Sequence, residues 1–163
     1  MHTITSKGEH IRCTNCNLDV IYHDDLSFSS NKKEFKFKNI SEWYDYQLNE
    51  LKAMDFDNMD TIFEDKKVVF EKPRLYKKRL RLAKGTLLLK KDDIIISGKK
   101  EMKFTLDEID AMTVLGRHKL NFYIGNDTYQ VIGDDSLNVL KYMFYFYIRK
   151  NKKEGLENEF YGI

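Results

Sequence analysis

Leu120-Asn121-Phe122-Tyr123-Ile124-Gly125-Asn126-Asp127-Thr128-Tyr129-Gln130-Val131-Ile132 is the stretch on which the fold turns. Two runs rich in β-branched and aromatic residues flank Gly125-Asn126-Asp127, a short hairpin signal. Directly after it Asp134-Asp135-Ser136 offer an N-cap, and residues 137–150 run on without Gly or Pro. Leu137, Leu140, Phe144, Tyr147 and Ile148 make an apolar stripe at helical spacing, broadened by Val139, Met143 and Phe146. A stripe that wide predicts a helix plugging the end of a barrel. Lys150, Lys152 and Lys153 lie at its C-terminus, where cations complement the helix dipole.

Upstream the strand-like texture continues. Thr61-Ile62-Phe63-Glu64, Val68-Val69-Phe70, the alternating run 75–82, Thr86-Leu87-Leu88-Leu89-Lys90, Ile94-Ile95-Ile96-Ser97, Met102-Lys103-Phe104-Thr105-Leu106 and Met112-Thr113-Val114-Leu115 read as strands or candidates. Gly85 is read as a break, with Lys91-Asp92-Asp93 and Gly98-Lys99-Lys100 as turns. About seven antiparallel strands at these spacings predict a sandwich or small barrel. With one closing helix, the order is that of a pleckstrin-homology-like barrel.

The N-terminal third is different. Cys13 and Cys16, the two cysteines of the chain, form a Cys-x-x-Cys. A tight turn of this kind aims both thiolates at one centre, and a structural zinc site takes four such ligands. His10 and His23 bracket the pair and complete a Cys2His2 set. A metal-free knuckle turn, a zinc shared between two chains and a site completed by an upstream segment fit the pattern as well. A redox pair needs a helix N-terminus beneath the first cysteine, whereas Leu18-Asp19-Val20-Ile21-Tyr22 reads as a strand. Residues 20–28 suggest a hairpin partner, and Phe35-Lys36-Phe37-Lys38 alternates as another strand. Asn39 with Glu42 makes a capping-box start, and Trp43, Leu48 and Leu51 should dock that helix on the neighbouring sheet. The acidic run 55–60 looks like a linker or turn. The expected class is therefore α+β, mostly β. A zinc-ribbon-like knuckle and helix occupies residues 1–58, and a pleckstrin-homology-like antiparallel barrel with a C-terminal helix occupies 59–163.

Composition sets outer limits. An aromatic fraction of 13% excludes a wholly disordered chain. The longest apolar run, 142–148, falls far short of the ~18 residues a membrane span needs. The N-terminus lacks a secretory pattern, so a cytoplasmic location is expected. Net charge is +2, yet it is strongly segregated. Residues 1–65 carry 7 basic and 13 acidic side chains, 66–103 carry 14 and 4, and 104–163 carry 7 and 9. Such asymmetry points to an anionic partner for the middle segment.

Ile11-Arg12-Cys13-Thr14-Asn15-Cys16, Trp43-Tyr44-Asp45-Tyr46-Gln47, Lys84-Gly85-Thr86-Leu87, Val114-Leu115-Gly116-Arg117-His118-Lys119-Leu120-Asn121-Phe122-Tyr123, Asn138-Val139-Leu140-Lys141-Tyr142 and Phe160-Tyr161-Gly162-Ile163 span nearly the whole chain. Together they resemble the C-terminal region of lysophospholipid (1-acylglycerol-3-phosphate) acyltransferases of Gram-positive bacteria. That family's catalytic motif is a histidine with an aspartate five positions later, the histidine acting as base toward the lysolipid hydroxyl. Here Lys7 follows His2 at that distance, Asn15 follows His10, Phe28 follows His23 and Tyr123 follows His118. A Gly-x-Ser-x-Gly elbow and a phosphate loop are missing too. The resemblance therefore implies an accessory region without catalytic residues, the catalytic domain lying upstream in the same polypeptide.

Three functions follow. The first is attachment of a phospholipid-biosynthesis enzyme to an anionic membrane surface, a lipid head group or a partner. Pleckstrin-homology barrels contact lipid phosphates through basic residues of the first hairpin, which here designates Lys77, Arg79, Arg81 and Lys84. A solvated, lysine-rich edge strand is the plain alternative. The second is a nucleic-acid-binding zinc-knuckle protein, against which the single knuckle and the acidic first module weigh. The third is a protein-interaction module presenting Tyr142, Phe144, Tyr145, Phe146 and Tyr147 of the closing helix.

Overall fold

The computed structural model describes residues 4–156. The chain is α+β, mostly β, with two antiparallel sheets and two α-helices. It forms two compact units, Met1–Met54 and Asp55–Ile163. His2 and the 160–163 segment of the resemblance lie outside the described residues.

The first unit is a four-stranded meander of β1 (Ile4–Lys7), β2 (His10–Cys13), β3 (Asp19–Tyr22) and β4 (Phe28–Ser30), followed by helix α1 (Ile40–Ala53). Gly8, at a φ of 59°, supplies the left-handed residue of the β1–β2 turn. Asn39 caps α1 by accepting from the Glu42 N–H at 3.0 Å, while Glu42 reaches back to the Lys38 N–H. No residue of α1 is buried. Its hold is aromatic: Trp43 meets Phe28 and Phe35 edge-on at 5.8 and 5.2 Å and stacks on Phe37 at 6.2 Å. The 35–38 segment is not the expected strand. It pairs with the sheet only through the Ser27–Asn39 bridge and the Phe28 N–H to Lys38 carbonyl bond, while Phe35 and Phe37 share the face that packs on Trp43, as positions two apart in extended chain do.

The second unit holds β5 (Phe63–Lys72), β6 (Leu80–Leu89), β7 (Asp93–Gly98), β8 (Met102–Thr105), β9 (Ala111–Val114), β10 (Lys119–Ile124), β11 (Asp127–Ile132) and α2 (Leu140–Glu154). The sheet order is β8-β7-β6-β5-β11-β10-β9. It is not a closed barrel. The four-residue strands β8 and β9 form its edges, and the chain passes between them through a 3-10 turn at Leu106–Glu108. Val68, Phe70, Leu87, Leu89, Ile94, Ile96, Met112, Leu120, Phe122 and Val131 are fully buried on the inner face.

Several sequence expectations shift here. The candidates at 61–64 and 68–70 merge into the one long strand β5, with a bulge between Asp65 and Val68, where Lys67 takes a φ of 61°. Residues 75–79 belong to the β5–β6 connection rather than to a strand. Gly85 does not break β6. It faces Gly98 of β7, where a Cβ would lie 1.9 Å from the Ser97 carbonyl oxygen. Helix α2 starts at Leu140 instead of Leu137, because Asp134 spends its carboxylate on Ser136 in a local turn and Asn138 accepts from the Leu140 N–H. Of the two readings of the acidic run, the turn is the one found: Phe56–Asn58 form a 3-10 turn, and Phe56 packs edge-on against Tyr145 of α2 at 4.8 Å.

Tyr142, Met143, Phe144, Tyr145, Phe146 and Tyr147 are all buried. Three of the tyrosines also close hydrogen bonds: Tyr142 donates to Asp65 Oδ2, Tyr145 to the Lys91 carbonyl and Tyr147 to the Met112 carbonyl. The ring surplus on this helix is thus used inside the unit, against β5, the β6–β7 turn and β9. The aromatic interface expected of the closing helix is not exposed.

Candidate functional site

The basic segment resolves into a hairpin, β5 and β6, and the connection Pro73-Arg74-Leu75-Tyr76-Lys77-Lys78-Arg79. Residues 71–84 carry seven cations and one acid, Glu71. Pro73 ends the ladder of β5 by lacking an N–H. Arg74 braces the loop from within, donating from Nε to the Lys78 carbonyl at 3.1 Å. Arg79 fastens its far end, donating from Nη1 to Gln130 Oε1 at 3.0 Å.

Gln130 belongs to a polar row that crosses the sheet in register: Thr113, Asn121, Gln130, Glu71 and Arg81. Gln130 donates to Asn121 Oδ1 at 2.7 Å, and Glu71 lies 3.9 Å from Arg79 and 3.8 Å from Arg81. Lys72 is held by Asp127 at 2.6 Å and sits over the Tyr129 ring, so its pKa is raised chiefly by the Asp127 hydrogen bond.

The four predicted cations therefore separate. Lys77 and Lys84 are exposed and, like Lys78, have no ion-pair partner among the described residues. Arg81 is exposed, with Glu71 as a distant counter-ion. Arg79 is an anchor of the loop. They spread along one hairpin and do not converge on a cavity. A recess of about 220 Å³ lies elsewhere, beside Leu106, Phe146 and Arg149. Its cations are taken: Arg149 by Asp92 and Asp107, Lys153 by Asp107 and Lys150 by the Asp110 carbonyl. Hydrogen bonds from Arg149 and then Lys153 lower the pKa of the Asp107 carboxyl to about 2.

Sequence reading missed the tip of the loop. Leu75 is 80% exposed and Tyr76 96%, the latter at a φ of 58°. The alternation through 75–82 reads as a strand, which hides them.

The candidate metal ligands do not assemble as a set. Cys13 and Cys16 share the β2–β3 turn, which the Cys13 N–H closes on the Leu18 carbonyl at 2.9 Å. His10 lies three residues back along β2, hence on the opposite face and about 10 Å along the strand. It faces Asp19 Oδ1 at 2.8 Å, and this contact, with Arg12, lowers the Asp19 pKa. His23 follows β3 at the other end of the hairpin and contacts Ser29 Oγ at 2.8 Å. Among the described residues, no group of three or more His, Cys, Asp or Glu is placed to hold a metal ion.

Tertiary structure also makes histidine–carboxylate pairs that a five-residue spacing does not capture. His118 Nε2 lies 2.9 Å from Asp135, and its Nδ1 faces the Leu137 carbonyl at 3.4 Å. These contacts tie the β9–β10 turn to the segment before α2.

No protein-family model matches the chain, and no curated protein matches it. Among the described residues, no helix is long and apolar enough to cross a membrane.

Proposed function

We propose that this chain is a non-catalytic accessory region that attaches to an anionic membrane surface through the β5–β6 hairpin of its second unit. The observation that carries this reading is the charge of that hairpin. Seven cations face one acid, and Lys77, Lys78 and Lys84 have no intramolecular counter-ion among the described residues. Each basic residue near an anionic leaflet contributes about 1 kcal/mol of attraction. The arrangement suits a surface better than a small soluble anion, because the cations spread along one hairpin and do not ring a cavity.

Seven consecutive antiparallel strands closed by one helix support a pleckstrin-homology-like second unit. The hairpin bearing Cys13 and Cys16 supports a degenerate zinc-ribbon-like first unit. The resemblance to acyltransferase C-terminal regions extends the proposal. The chain places a phospholipid-synthesising catalytic domain of the same polypeptide, and thus a cytoplasmic enzyme, at the membrane where its substrates reside.

Co-sedimentation tests the reading. The chain should pellet with vesicles containing anionic phospholipid at low salt, stay in the supernatant with neutral vesicles, and release as salt rises. Equal behaviour with both vesicle types at low salt would overturn it.

A further inference from the structure

The tip of the hairpin is built at a cost the fold does not recover. Tyr76 occupies a left-handed backbone conformation, where Gly or Asn would be cheaper. Its side chain is 96% exposed, and its hydroxyl has no partner among the described residues. The adjacent Leu75 is 80% exposed, and Leu80, on the same hairpin, is 42% exposed. A single exposed leucine is ordinary. Two large apolar side chains side by side on a loop tip, with Arg74, Lys77, Lys78, Arg79 and Arg81 around them, are not explained by packing within the chain.

The loop is also braced. Arg74 bonds the Lys78 carbonyl and Arg79 bonds Gln130, so the tip is presented on a supported base rather than on a loose strand connection. A phenol with an apolar body and a polar end matches the headgroup–acyl boundary of a bilayer. The exposed cations next to it in the chain, Lys77, Lys78 and Arg81, match the phosphates of anionic lipid.

We infer that Leu75 and Tyr76 form a wedge that enters the interfacial layer of an anionic bilayer while Lys77, Lys78 and Arg81 engage the lipid phosphates. This inference rests on the surface-attachment reading above and adds depth of insertion to it. The wedge also gives the contact an orientation. The hairpin tip points into the membrane, with the strands of β5 and β6 rising from the surface.

The test uses Tyr76→Trp in the full chain, with the parent, whose single tryptophan is Trp43, as the reference. The new tryptophan should shift to the blue on adding vesicles of mixed phosphatidylglycerol and phosphatidylcholine. Lipids brominated high on the acyl chain should quench it, with no matching change in the parent. A second variant, Leu75→Ser with Tyr76→Ser, should weaken vesicle partitioning on the order of tenfold. Its unfolding midpoint should stay unchanged, because both side chains are exposed.

Vesicle binding without quenching, and with undiminished affinity in the double serine variant, overturns the wedge and leaves surface attachment standing. Absence of binding to anionic vesicles overturns both. Binding to duplex DNA as tight as to vesicles, and equal in the parent and the serine variant, assigns the hairpin to nucleic acid and likewise overturns the wedge.

Discussion

Arg79 donates from Nη1 to Oε1 of Gln130 at 3.0 Å, joining the end of the β5–β6 connection to a strand 51 residues further along the chain. Gln130 is 3% exposed. Arg79→Ala leaves that amide oxygen without its donor, and urea unfolding should show a loss of about 1–2 kcal/mol. Lys77→Ala with Lys78→Ala changes only exposed side chains and should stay within about 0.5 kcal/mol of the parent, while reducing retention on anionic vesicles. Unchanged stability of Arg79→Ala would remove its anchoring role.

Asp65 is buried and receives two bonds from α2: the Tyr142 hydroxyl and Lys141 Nζ, each at 2.6 Å. Burial and the neighbouring carboxylate push the Tyr142 phenol well above its ordinary value, so it serves only as a donor. Tyr142→Phe should cost about 1–2 kcal/mol. Asp65→Ala should cost more, roughly 3 kcal/mol, because it strands Lys141 beside the core. Chemical denaturation of both variants gives the ranking, and the reverse order would contradict it.

Asp107 titrates at about 2 instead of 3.8, held down by hydrogen bonds from Arg149 and then Lys153. Its folded pKa is the lower one, so unfolding takes up a proton. The stabilisation is full above about pH 4 and disappears as pH falls toward about 2. Urea midpoints measured across that window should fall for the parent and fall less for Asp107→Asn. High salt should shrink the difference, since the pair faces solvent.

Gly85 and Gly98 face each other across β6 and β7. A Cβ on Gly85 meets the Ser97 carbonyl oxygen at 1.9 Å, and backbone there cannot move aside as a flexible side chain would. Gly85→Ala should destabilise the second unit by about 2–3 kcal/mol. Gly116→Ala, with open space around its Cβ but a φ of 64°, should cost only about 1 kcal/mol. Thermal melts of the two variants distinguish a clash from a backbone preference.

The strand geometry places His10 and His23 away from the Cys13–Cys16 turn. Zinc taken up by the chain should therefore depend on the thiols alone. In metal analysis after incubation with zinc, Cys16→Ser should lower the content and His23→Ala should leave it unchanged. A loss on His23→Ala would show that the four residues do converge.

Much of this was legible along the chain. Period-two runs broken by turn residues located most strands of the second unit, and Asn39 with Glu42 located the start of α1, because these signals are local. The charge of 66–103 likewise pointed to the hairpin. Boundaries that depend on partners were not legible. Gly85 reads as a breaker until Gly98 is set opposite it. Asp134 reads as a helix cap until Ser136 claims its carboxylate. The strand β1, exposed throughout, carries no apolar alternation to betray it.

The sequence by itself determined the mostly β class, the placement of charge and the closing helix, since periodicity and composition follow from neighbours in the chain. Tertiary structure alone decided which of those charges are free. Arg79 and Lys72 look like their neighbours in the sequence, yet Gln130 and Asp127, both brought in by β11, hold them to the sheet. Lys77, Lys78 and the Leu75-Tyr76 tip stay outside. The difference arises because an ion pair or a buried amide acts over a few ångströms of space, whatever its separation along the chain.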